Sequence, residues 1–242
     1  LLAFAARRGA AAIVLGLGGS ATNDLALGAL VALSWRAENA AGELVAAPVP
    51  ARWTEIARLV PPPGGGDLPP LRLACDVANP LLGPQGATAT FGPQKGLEPE
   101  TAAALEQAVE RVARLLAEGR GADFAKASAA AGAGAAGGAG FGFFVGAGAE
   151  IVPGAALVEA WLDLPARIAR ADLVLTGEGR FDATSLGGKG PGAVIAESAR
   201  AGKRVAILAG AVDAAVRAAL PGNAATHAIT PTDWPRERAL AG

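Results

Sequence analysis

Four short apolar runs constrain this chain more than anything else in it: Ala11–Leu17, Leu71–Val77, Ala171–Thr176 and Arg204–Ala209. Each is rich in Val, Ile or Leu. The first and third break at Gly-rich turns, and the second runs into a polar one. Continuous runs of this length suit strands buried on both faces. Between them lie segments that read as helices: Leu25–Trp35, Pro99–Glu118, Ala155–Trp161, Gly192–Ala201 and Ala214–Leu220. A further short helix is expected at Trp53–Leu59, and a last short strand at Thr226–Ile229. The run PPPGGGDLPP at 61–70 allows no regular structure and reads as a surface loop. Strands alternating with helices predict an α/β protein with largely parallel sheets. Such sheets bind ligands at the carboxyl ends of their strands. The polar, Gly-rich segments of this chain follow Leu17, Val77 and Thr176, at those ends.

Composition narrows the function classes. Of 242 residues, 52% are hydrophobic and 18% charged, which excludes wholesale disorder. The net charge is −1, so no global basic footprint points to nucleic acid. Cys75 is the only cysteine, which excludes an intrachain disulfide and a paired-cysteine metal or redox site. A cytoplasmic protein is expected. His227 is the only histidine, so histidine-rich metal sites are excluded. It reads as a structural residue of the last strand, and Cys75 as a buried strand residue. The opening LLAFAARRG puts its basic pair after the apolar stretch, the reverse of a secretory signal. Ala127–Ala149 carries no charge and could span a bilayer by length. Its many glycines and the lack of a flanking basic cluster argue against a membrane span.

Four segments carry candidate chemistry. Gly16–Ala21 (GLGGSA) fits the dinucleotide fingerprint literally, after a strand and before a helix. The polar residues that follow, and the absence of an evident second strand near Glu38 or Glu43, argue against it. The other reading is an anion site on the backbone N–H groups of Gly18, Gly19 and Ser20, with Asn23 or Asp24 holding a hydroxyl or a metal. Ser20 or Thr22 could equally be a plain helix cap. The second segment, CDVANPLLGPQGATATFGPQKG (75–96), sets Asp76 and Asn79 just past a strand and leads to Gln94 and Lys95. Carboxylate, amide and ammonium together suit a hydroxy acid or a phosphate. The third, GAGAAGGAGFG (132–142), lets backbone approach a ligand or another segment closely. In the fourth, TGEGRFDATSLGGKGPG (176–192), Glu178 and Asp182 could hold Mg²⁺. Lys189, before a helix start, suits a phosphate. It is not a Walker A loop, because the spacing is absent.

Taken in order, LGLGGSATND, ACDVANPLLGPQGATATFGPQKG, GAGAAGGAGFG and LVLTGEGRFDATSLGGKGPG resemble the glycerate kinase family, of the bacterial D-glycerate kinase type. The resemblance implies two α/β lobes with a cleft between them. Residues 1–165 would form the first lobe, with the Gly-rich active-site loops, and residues 166–242 a partial, Rossmann-like second lobe. It implies a cytoplasmic kinase that uses ATP and Mg²⁺ to phosphorylate (R)-glycerate to 2-phosphoglycerate. A small-molecule substrate, no nucleic acid and no membrane are expected as partners, with room for a homodimer. Asp24, Asp76, Lys95 and Asp182 would be catalytic. Ser20, Thr22, Asn23, Asn79 and Gln94 would bind substrate. Gly18, Gly19, Gly134, Gly137, Gly138 and Lys189 would bind the nucleotide, and Glu178 with Asp182 the metal. The family follows its SATND motif with Gly-Gly, where this chain has Leu25-Ala26. It carries Gln-Thr after the Asp of its last motif, where this chain has Thr184-Ser185 two residues past Asp182. The absence of Met, and of any match to the family's opening strand or last helix, leads to the expectation of a truncated chain. The alternatives are an NAD(P)-dependent oxidoreductase built on Gly16–Ala21 and a non-catalytic hydroxy-acid-binding homologue.

Overall fold

A computed structural model describes residues 1–186, 190–231 and 234. The chain divides into two compact units, Leu1–Gly154 and Ala155–Gly242. The division falls earlier than the 165 expected from the sequence.

The first unit opens with α1 (Leu2–Arg7) and β1 (Ile13–Gly16). The order continues through α2 (Leu27–Ala32), β2 (Arg36–Glu38), β3 (Arg58–Val60), β4 (Leu71–Ala74), α3 (Ala87–Phe91), α4 (Pro99–Arg120), α5 (Phe124–Ser128), α6 (Ala135–Gly146) and β5 (Glu150–Val152). β1, β4 and β5 form a parallel sheet in the order β1-β4-β5. Their carboxyl ends therefore lie side by side. The loops that leave them start at Leu17, Cys75 and Pro153.

α4 follows its apolar periodicity. Val109, Val112, Ala113, Leu116 and Ala117 are buried, Glu100 lies in the first turn and Arg120 in the last. Those residues join Leu25, Leu30, Trp53, Ile56, Leu73 and Phe141 in one core. Two expectations are corrected here. Trp53–Leu59 is not an α-helix but a 3-10 turn over Pro50–Glu55 that leads into β3. β3 pairs antiparallel with β2, and the buried Glu38 binds the guanidinium groups of Arg36 (3.1 Å) and Arg58 (2.8 Å). The dinucleotide reading also loses its support. After α2 the chain enters this antiparallel ribbon instead of a parallel strand beside β1, so the required βαβ unit is not formed.

The second unit holds α7 (Gly154–Leu162), α8 (Leu164–Arg170), β6 (Leu173–Phe181), α9 (Pro191–Arg200), β7 (Arg204–Val212), α10 (Ala214–Arg217) and β8 (Ala224–Ala228). Its parallel sheet runs in the order β6-β7-β8. Val205, Ile207 and Ala209 pack with Ile195 of α9 and Val216 of α10. Leu173, Leu175, Leu208 and Ile229 are exposed, and His227 is exposed on β8. Among the described residues no helix is long and apolar enough to cross a membrane. The uncharged stretch 127–149 is instead divided among α5, a turn and the 12-residue α6.

Candidate active site

The carboxyl ends of β1 and β4 open into a cavity of about 350 Å³. Leu17, Gly18, Gly19 and Ser20 line it from the first loop, and Ala74, Cys75, Asp76 and Val77 from the second. Phe91 of α3, the Gln94–Lys95 turn and Ala135–Ala136 complete it. Six of the residues expected from the sequence meet here: Gly18, Gly19, Ser20, Asp76, Gln94 and Lys95. Cys75 and Phe91 were not expected. A lone thiol beside a strand and a single aromatic carry no pattern that marks a site.

Lys95 organises the cavity. It sits in a 3-10 turn over Pro93–Lys95 whose end is closed by Gly96 in the left-handed region. Its ammonium reaches back across the sheet end and donates to Ser20 Oγ (3.0 Å) and to the Thr22 carbonyl (2.7 Å). Burial pulls its pKa below the ordinary value of 10.5, and the nearby Asp24 carboxylate opposes that shift. Lys95 also lines a second, smaller cavity of about 250 Å³ with Thr22, Asn23, Gly92 and Leu105. The SATND loop therefore wraps one ammonium, with Ser20 on one side and Thr22 and Asn23 on the other.

Of the other residues expected in the first two loops, Thr22 and Asn23 line the second cavity, and Asp24 lines neither. Asp24 Oδ1 accepts from the Ala26 N–H (3.0 Å). Asn23 Nδ2 donates to the hydroxyl of buried Thr88 (3.2 Å). Asn79 lines neither cavity. It braces the second loop, donating to the Gln85 carbonyl (2.7 Å) and Thr90 Oγ1 (3.3 Å), while its own carbonyl accepts from Gly134 N–H (3.0 Å). Asp76 approaches the end of β5 so closely that a Cβ on Gly154 would lie 3.0 Å from Asp76 Oδ2. Gly154 is thus a further residue that shapes the site, and only its place after a strand could have suggested it.

Gly134, Gly137 and Gly138 serve close packing within the chain. A Cβ on Gly134 would lie 2.2 Å from the Pro80 carbonyl oxygen, and one on Gly137 2.0 Å from that of Thr22. On Gly138 it would meet the Leu25 side chain at 2.7 Å. Ala136, Gly137 and Gly138 all have positive φ, so α6 begins with a left-handed turn seated against the SATND loop. Of the two readings of this Gly-rich stretch, approach to another segment accounts for these contacts.

In the second unit, Glu178 lies on β6 and Asp182 directly after it. Glu178 Oε1 is buried without a hydrogen-bond partner. Asp182 pairs with Arg180 (3.6 Å), and its backbone exchanges hydrogen bonds with Ser185. Among the described residues no group of three His, Cys, Asp or Glu side chains could hold a metal. Two carboxylates are nonetheless what Mg²⁺ usually takes from a protein, with waters and phosphate filling the other positions. The orphaned Glu178 oxygen fits a cation. Lys189 lies outside the described residues.

The model of the glycerate kinase family matches residues 1–242. An uncharacterised protein of Synechocystis sp. is 35% identical over 99% of the chain and 63% of its own length. The glycerate 2-kinase of Escherichia coli K12 is 33% identical over 79% of the chain and 50% of its own length. A crystal structure from Salmonella typhimurium LT2, described as that of a glycerate kinase 2, superposes with a TM-score of 0.71 at 34% identity. It covers 98% of this chain and 62% of its own. The chain thus spans about half to two thirds of the length of these relatives.

Proposed function

The chain belongs to the glycerate kinase family, and from that premise we propose that it transfers the γ-phosphoryl group of ATP to (R)-glycerate, giving 2-phosphoglycerate. The cavity at the ends of β1 and β4 carries this reading. It brings the Gly18–Ser20 backbone, the Asp76 carboxylate, the Gln94 amide and the partly buried Lys95 ammonium together in a space suited to a small hydroxy acid.

Phosphoryl transfer asks little covalent chemistry of the protein. It asks for in-line positioning and for charge neutralisation. In the proposed mechanism, Lys95 neutralises the glycerate carboxylate or a phosphate. The Gly18–Ser20 backbone and Gln94 orient the acceptor. Asp76 or Asp24 accepts the proton of the attacking hydroxyl. Glu178 and Asp182 would hold Mg²⁺, which when bound would offset phosphate charge. Lys189 would act on the nucleotide phosphates.

The test is ADP release from ATP with (R)-glycerate, compared with related hydroxy acids, in wild type and two variants. Asp76→Asn and Asp182→Asn are each expected to lower kcat/KM for glycerate by about a hundredfold or more. Wild-type values in both would remove the assignment. NMR of the product distinguishes the 2- from the 3-phosphate.

A further inference from the structure

The turn that carries Asp24 is built from residues that resist its shape. Leu27 N–H donates to the Asp24 carbonyl (3.0 Å), closing a four-residue turn. Its two central residues, Leu25 and Ala26, have φ of 56° and 54°. Two successive positive φ values mark a type I′ turn. Gly, Asn and Asp normally fill it, because a Cβ in the left-handed region crowds the following carbonyl. Leu25 and Ala26 carry that crowding.

Three contacts hold them in it. The Leu25 side chain is fully buried and packs over Gly138. Leu25 N–H donates to the Gly137 carbonyl (3.2 Å). Gly142 passes so close beneath the Leu25 carbonyl that a Cβ there would lie 1.9 Å from the oxygen. The strained backbone is tied to the candidate chemistry by one hydrogen bond, from Ala26 N–H to Asp24 Oδ1 (3.0 Å). Strain of this kind persists only where the surroundings over-determine it, and it gathers at functional sites.

We infer that Leu25 and Ala26 are positioning residues for the reaction, holding the Asp24 carboxylate in one orientation beside Lys95 through the Ala26 N–H. This role rests on the kinase reading of the cavity. A glycine at 26 enters φ 54° without crowding but also reaches many other conformations. It relieves the turn and frees Asp24.

The experiment is a double-mutant cycle of Ala26→Gly and Asp24→Asn, read by Tm and by steady-state kinetics with (R)-glycerate. Ala26→Gly is expected to raise Tm by about 2–4 °C and to lower kcat about five- to tenfold. In the Asp24→Asn background the same change should again raise Tm, yet alter kcat less than about twofold, because the group it positions has lost its charge. A purely structural role would lower kcat equally in both backgrounds, and that result overturns the inference. So does a raised Tm with unchanged kcat, or a lowered Tm, which would show an unstrained turn. Wild-type protein that forms no ADP with glycerate removes the kinase reading and the positioning role together. Turnover that Ala26→Gly leaves untouched removes the positioning role alone.

Discussion

Lys95→Met is expected to lower kcat/KM for (R)-glycerate by about two to three orders of magnitude. Met nearly matches the length of the side chain and removes only its charge and its donors. In the wild type those donors reach Ser20 Oγ and the Thr22 carbonyl, and the ammonium lines both cavities of the site. The fold should tolerate the change. A lysine whose pKa is lowered by burial is less at ease charged in the folded state than in the unfolded chain. At neutral pH its charge therefore opposes folding, and an apolar replacement leaves Tm little changed or higher. The pH dependence of the wild type follows with a definite sign. Between the lowered folded-state pKa and the ordinary 10.5, the unfolded chain holds a proton that the folded one has released. Stability contributed by Lys95 thus rises with pH across that window. Anion binding falls across the same window, as the ammonium is lost. Activity measured from neutral to strongly alkaline pH should show a descending limb below 10.5. Lys95→Met should remove that limb along with most of the activity. Kinetics within tenfold of wild type, or an unchanged alkaline limb, would defeat the role given to Lys95.

The frame of the protein was legible where a segment's own composition decides its fate. β1, β4, β6 and β7 each lie within or across short runs rich in Val, Ile or Leu, though the expected burial on both faces fails in the second unit, where Leu173, Leu175 and Leu208 are exposed. α4 announces itself by periodicity and by the placement of its charges. Ser20, Asp76, Gln94 and Lys95 could be found because polar residues past the ends of parallel strands converge whatever the details of the loops. The rest depends on partners far away in sequence. Arg36–Glu38 and Arg58–Val60 have no strand signature, and their pairing sets Ala37 opposite Leu59 in the core and Glu38 opposite Arg58 in an ion pair across the ribbon. Leu25 and Ala26 are good helix formers, yet α2 begins only after them. The left-handed turn at 136–138 takes over that stretch through packing. Glycine content shows that backbone can come close, not which backbone it meets.

That last point predicts the largest loss of stability. Gly137→Ala is expected to destabilise the first unit by about 3–5 kcal/mol. Two effects add. With φ of 68°, residue 137 lies in the left-handed region, where any Cβ costs about 1 kcal/mol or more. The new Cβ would also sit 2.0 Å from the Thr22 carbonyl oxygen and 2.6 Å from Asn23 Cα. Both are backbone atoms, so no side-chain rotation relieves the overlap. Gly148→Ala isolates the first effect, because Gly148 has φ of 64° and nothing within 4 Å of the added Cβ. It should cost only about 1 kcal/mol. Chemical denaturation followed through buried Trp35 and Trp53 reports on the first unit. A Gly137→Ala loss no larger than that of Gly148→Ala would show that the turn at 136–138 is not locked against the Thr22–Asn23 backbone. If it is locked, the clash must push the Thr22 carbonyl aside. That carbonyl is the shorter of the two hydrogen bonds that orient Lys95. Even the molecules that remain folded should then bind glycerate weakly, with KM raised further than unfolding alone accounts for.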